Sequence, residues 1–168
     1  MGITSFAYRL VFLLHILSAI IGFGGVMLNG VYASRAQKRP PAEGLAVMEV
    51  NTFVSLKVAE VFIWLTPIWG LGLVGLSDKV WEFGQTWVWL SIVIYLVALA
   101  VSFGLLQPRV KKLLALQREI VDGPPSAGGP PPQVAQLKAL GAQIGPISGV
   151  LHLSLVVILV LMIWKPGF

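Results

Sequence analysis

Residues 6–32 read FAYRLVFLLHILSAIIGFGGVMLNGVY, a long apolar run whose only cation is Arg9, near its start. A helix needs about 20 mainly apolar residues to cross a ~30 Å hydrocarbon core, whereas a signal peptide has a basic leader and an apolar stretch of only about 7 to 15. The run therefore predicts a retained membrane helix. Arg35, Lys38, Arg39, Pro40 and Pro41 then close it with charge and helix breakers.

Three further runs repeat the pattern at residues 53–76, 87–106 and 144–164. The second carries Pro67, which is expected to kink it, and follows an amphipathic lead with Glu43 and Glu49. The third opens on Trp87 and Trp89, residues suited to the headgroup level, and the fourth ends at Lys165, Pro166 and Gly167. In residues 109–120, Val110, Leu113, Leu114, Leu116 and Ile120 alternate with Arg109, Lys111, Lys112 and Arg118, which predicts an amphipathic extension at the membrane surface. The stretch GPPSAGGPPP at residues 123–132 reads as a loop, and the last helix begins near Gln133. Composition agrees with this layout: of 168 residues 57% are hydrophobic and 11% charged, with a mean hydropathy of +0.85, against about 25% charged in soluble domains. The expected fold is all-α, an antiparallel four-helix membrane bundle. Residues 1–168 then form a single membrane domain, with residues 107–143 as a cytoplasmic loop.

The net charge of +5 is what cationic loops facing anionic lipid produce, so it points to a bilayer and not to nucleic acid. Arg35, Lys38, Arg39, Arg109, Lys111, Lys112, Arg118 and Lys138 belong to the first and third loops, while Arg9, Lys79 and Lys165 lie on the other side. That asymmetry predicts a multi-pass protein of the bacterial inner membrane with both termini outside the cytoplasm.

Only two histidines occur, His15 and His152, and both fall within apolar runs, where ionisable groups usually face the bundle interior. His15, Ser18, Gly22, Gly25 and Asn29 share one helix face; Gly141, Gly145, Ser148 and His152 share another. Counted at 1.5 Å per residue, the imidazoles lie roughly 14 and 18 Å from the ends of their spans that carry the termini. Two inward histidines on antiparallel helices are the minimal geometry for bis-histidine haem b, with His15 and His152 on the iron and Arg9 and Lys165 near its propionates. The alternative is that each imidazole simply hydrogen-bonds a serine or a backbone carbonyl on a neighbouring helix. Ser18, Gly22, Asn29, Gly145 and Ser148 are the expected pocket residues, with Gly22 and Gly145 allowing close helix packing.

Lys57 and Glu60, three residues apart, are placed to pair or to snorkel towards the interface. On a sharper reading Glu60, with Trp64 and Pro67 on its face, lines a polar pocket and handles a proton or cation. Gly70, Gly72 and Gly75 spell G-x-G-x-x-G, but no strand precedes them and they read as helix-packing glycines. The absence of cysteine excludes disulfides, thiolate-bound metals and iron–sulfur clusters. Met27, Met48 and Met162 show no copper-path spacing, and no nucleophile, base and orienting acid occur together.

Four spans, the histidine-then-glycine first helix, the cationic first loop and the ending Leu161-Met162-Ile163-Trp164-Lys165-Pro166-Gly167 resemble, over essentially the whole length, an uncharacterised family of small bacterial four-span membrane proteins that close with LMxxKPG. The first helix is more distantly similar to copper-resistance D-type proteins and to HemJ-type protoporphyrinogen oxidases. The latter resemblance implies haem b and a lysine in a later span, yet residues 87–106 contain no lysine. Three readings stand: a small haem b redox protein; a cofactor-free accessory or assembly subunit of a larger membrane complex; and a small-solute or cation permease using Glu60, which would need a homodimer to enclose a path.

Overall fold

The protein was analysed as a computed structural model that describes residues 2–124, 129 and 131–167. Helix α1, Phe6–Met27, is capped by Ser5, whose hydroxyl accepts the Tyr8 N–H. After Leu28 comes α2, Asn29–Ala36. Helix α3, Pro41–Phe53, then passes through a π-helical segment, Val54–Ala59, into α4, Glu60–Leu76. Helix α5, Thr86–Val101, likewise passes through a second π-helical segment, Ser102–Leu106, into α6, Gln107–Asp122. The chain ends with α7, Pro132–Trp164.

Joined end to end, these elements make four apolar rods: Phe6–Ala36, Pro41–Leu76, Thr86–Asp122 and Pro132–Trp164. The shortest has 31 residues, which at 1.5 Å per residue is about 46 Å and exceeds the ~30 Å hydrocarbon core. The protein is therefore an all-helical, four-span membrane bundle, and no strand occurs among the described residues. Helix α6, the amphipathic segment, runs on from the second π-helical segment without a break. It extends the third rod, because Leu114 finds protein partners in Ala36 and Met48. The expected loop at residues 123–132 falls largely on residues 125–128 and 130, which lie outside the described residues.

The rods form two hairpins. In the first, α1 packs along α4 and the first π segment; in the second, α7 packs along α5 and α6. The hairpins join at both ends. At the end away from the termini α3 meets α6, sealed by Ala36, Met48 and Leu114 and by an Arg118–Glu49 ion pair of 2.8 Å. At the end carrying the termini, Trp87, Val88 and Leu161 form a second small core. There Trp81 Nε1 donates to Tyr8 Oη at 2.8 Å, and Lys165 Nζ sits 4.0 Å above the Trp81 ring. Trp87 is buried here edge-on to Trp81, whereas Trp89 is exposed. Between the two ends α4 and α5 do not pack along one another, and a cleft separates the hairpins.

Glycines distinguish packed faces from open ones. A Cβ on Gly22 would lie 2.9 Å from Ile63 N, and one on Gly25 only 2.8 Å from Ala59 Cβ, so α1 approaches α4 as closely as these glycines permit. Gly145, expected to do the same on α7, has nothing within 4 Å of its Cβ position. Gly22→Leu should therefore cost about 1 to 3 kcal/mol by overpacking, while Gly145→Leu leaves stability nearly unchanged. Thermal unfolding of the two variants in one detergent checks this contrast; equal destabilisation would contradict it.

Candidate functional site

Proline 67 organises the middle of the bundle. It lies inside α4 and has no N–H, so the carbonyl four residues earlier, at Ile63, loses its helical donor. In lipid an unsatisfied carbonyl costs several kcal/mol. The Tyr95 hydroxyl, arriving from α5, donates to Ile63 O and supplies the missing partner. The Tyr95 ring meets Phe23 of α1 edge-on, at a centroid distance of 6.2 Å. One side chain thus ties the hairpins together at the point where α4 is weakest, and above it lies Trp64 against Phe103, 5.4 Å apart.

The cleft beside this bridge has a volume of about 520 Å³. Phe23, Ile63, Tyr95, Leu99 and Ile158 give it an apolar wall. Its polar groups are Asn29, Asn51, Thr52, Ser55, Glu60, Ser102, Gln107, Ser148 and His152, among others. Gln107 Nε2 donates to Glu60 Oε2 at 3.4 Å, and Ser55 Oγ donates to Asn29 Oδ1 at 3.1 Å. Thr52 Oγ1 is buried without a hydrogen-bond partner. Both π segments border the cleft, through Ser55 and Leu56 on one side and Ser102, Phe103 and Leu106 on the other; π turns within α-helices are frequent at functional sites. Among the described lining residues Glu60 is the one carboxylate, and there is no Lys or Arg.

Asn29, Glu60, Gly145, Ser148 and His152 are thus gathered in one place. Ser18 and Gly22 are elsewhere, buried in the α1–α4 contact. His15 faces α4 as well: its Nδ1 is 2.8 Å from the Thr66 carbonyl, and it fits beside Gly70, where a Cβ would come within 3.2 Å of Cε1. That is the backbone-carbonyl alternative for this imidazole, with Nδ1–H as donor. His152 lines the cleft, whereas His15, engaged with α4, is not among the described residues that line it. Arg9 is exposed, and Lys165 is engaged with Trp81. Lys57 is exposed and makes no ion pair with Glu60, since the π segment between them changes the angular spacing that a regular helix would give.

Tyr95, Gln107 and Thr52 were not singled out from sequence. The available signal was indirect: a proline in a membrane helix implies a donor on a neighbouring one, and Tyr95 is a hydroxyl within the next span. Tyr95→Phe keeps the ring contact but orphans Ile63 O, for an expected cost of about 1 to 3 kcal/mol. In a Pro67→Ala background the restored N–H should remove most of that cost. A double-mutant cycle measured by thermal unfolding reads the coupling, and additive effects would refute the bridge.

A family model described as "Predicted integral membrane protein (DUF2269)" matches residues 9–166. No curated protein and no solved structure matches the chain.

Proposed function

As a member of the DUF2269 family of predicted integral membrane proteins, the chain acts, we propose, as an intramembrane binding protein for a small amphipathic cation, held between the two hairpins. The observation that carries this reading is the charge inventory of the cleft: among its described lining residues Glu60, held by Gln107, is the one carboxylate, and there is no Lys or Arg. A carboxylate facing such a cavity favours a positive or hydrogen-bond-donating group, and the aromatic faces of Phe23, Tyr95 and Phe103 favour its apolar body. At about 520 Å³ the cleft is in the size range of small-molecule pockets and too small for a partner helix about 10 Å wide.

The probe is tetraphenylphosphonium, titrated into the protein in lipid nanodiscs. Saturable binding is expected, weakened about tenfold or more in Glu60→Gln. Absence of binding, or equal binding by wild type and variant, would overturn the proposal. Haem b ligated by both histidines is the less favoured reading, because only His152 reaches the cleft. A low-spin spectrum lost in both His15→Ala and His152→Ala would restore haem at the expense of the cation. A large membrane partner that copurifies with the cleft blocked would instead favour the accessory-subunit reading.

The orientation proposed is termini outside and the α2–α3 and α6–α7 ends in the cytoplasm of a bacterial cell, supported by eight cations against three. Of Lys38→Cys, Lys111→Cys and Lys165→Cys in intact cells, an impermeant thiol reagent should label only the last. Labelling of the first two and not the third reverses the orientation.

A further inference from the structure

A second hollow lies on the outer side of the first hairpin, turned away from the cleft. It has a volume of about 500 Å³ and runs between the end of α1 with α2 on one side and α3 with the first π segment on the other. Gly24, Leu28, Tyr32, Val47, Val50 and Val54 form most of its lining. Leu28, Tyr32 and Val50 are all about half exposed or more, at 51%, 46% and 66%. In a protein whose helices cross a membrane these residues meet lipid.

Two features make this hollow more than ordinary lipid-facing surface. Gly25 next door is required by the close approach of Ala59, but Gly24 has nothing within 4 Å of its Cβ position. Its missing side chain serves no helix contact and leaves the groove open. From Leu28, the residue before α2, Tyr32 and Arg35 of α2 follow at offsets of four and three, so the face that lines the groove continues onto a guanidinium. Lys38 lies just beyond. Both cations are exposed, and neither has an ion-pair partner among the described residues, whereas neighbouring Arg39 is paired to Glu43 at 3.5 Å. From Gly24 to Arg35 is eleven residues, about 16 Å of helix, which matches one leaflet of a ~30 Å core.

We infer that this groove is a binding site for one anionic phospholipid, its acyl chain lying along Gly24, Leu28, Tyr32 and Val50 and its phosphate between Arg35 and Lys38. Charge complementarity selects an anionic head over a zwitterionic one, and the length of the groove sets the chain within the leaflet that adjoins the α2–α3 turn. The site is independent of the cleft ligand, because the two hollows open on opposite sides of α2 and α3.

The full-length protein, purified in detergent and equilibrated with dioleoylphosphatidylglycerol or dioleoylphosphatidylcholine, is read by native mass spectrometry. Wild type should retain one phosphatidylglycerol in preference to phosphatidylcholine. Arg35→Gln with Lys38→Gln should lower that retention about tenfold or more. Gly24→Leu should lower retention of both lipids without lowering the unfolding temperature, since its side chain enters empty space. Lys111→Gln with Lys112→Gln, an equal loss of charge on the other hairpin, should leave retention unchanged. Equal retention of the two lipids by wild type would overturn the inference. So would unchanged retention in either the cation pair or Gly24→Leu, or an equal loss in the Lys111 and Lys112 pair.

Discussion

In hydrocarbon a main-chain carbonyl has no water to fall back on, and the bond from Tyr95 to Ile63 O is where this protein meets that constraint across helices. Pro67 creates the need and α5 supplies the donor. The same stretch of α4 is braced from the opposite side, where His15 Nδ1 meets Thr66 O, while the Thr66 hydroxyl folds back to Phe62 O. Within a single turn, at Ile63 and Thr66, α4 is thus stitched to α5 and to α1 through polar contacts at membrane depth. A proline that weakens a single helix has become the point through which the two hairpins are held in register.

The cleft follows from how the remaining contacts are distributed. Close packing is concentrated within each hairpin, where glycines on α1 let it approach α4, and between hairpins only at the two ends. One end is joined by Arg118–Glu49 and the Ala36, Met48 and Leu114 cluster, the other by an aromatic knot of Trp81, Trp87, Tyr8 and Lys165. With the ends tied and the middle bridged only by side chains, space is left between α4 and α5. Both π-helical segments fall along that space, as do Glu60, Gln107 and His152. Polar groups that would be costly against lipid are therefore collected on the surface that lipid tails do not line.

The two hollows also differ in chemistry in a way that separates their occupants. Among the described lining residues the cleft has one carboxylate and no Lys or Arg; the outer groove is mostly apolar and leads to Arg35 and Lys38. Helices α2 and α3 stand between them, with Asn51 reaching both linings. The cation site and the lipid site proposed above are compatible in one small protein because the two hollows lie on different faces of the same hairpin.

The number of spans, the all-helical fold and the antiparallel order were legible in the sequence, because each depends on the length and polarity of a continuous run, and lipid forces such runs into helices whatever their neighbours are. That Ser148 and His152 share a face was legible from helical spacing, whereas for Glu60 the sequence left open an interfacial pairing with Lys57 or a place in a pocket. Which helix would face which was not legible. His15 and His152 have similar depth and similar small-residue faces, yet one meets α4 and the other borders the cleft, because pairing is decided by which surfaces approach most closely. Gly22 and Gly145 look alike in sequence; a backbone 2.9 Å away occupies the space beside one and nothing occupies the space beside the other. Periodicity tells which face of a helix avoids lipid, and only the tertiary packing decides whether that face meets another helix, an orphaned carbonyl or an open cavity.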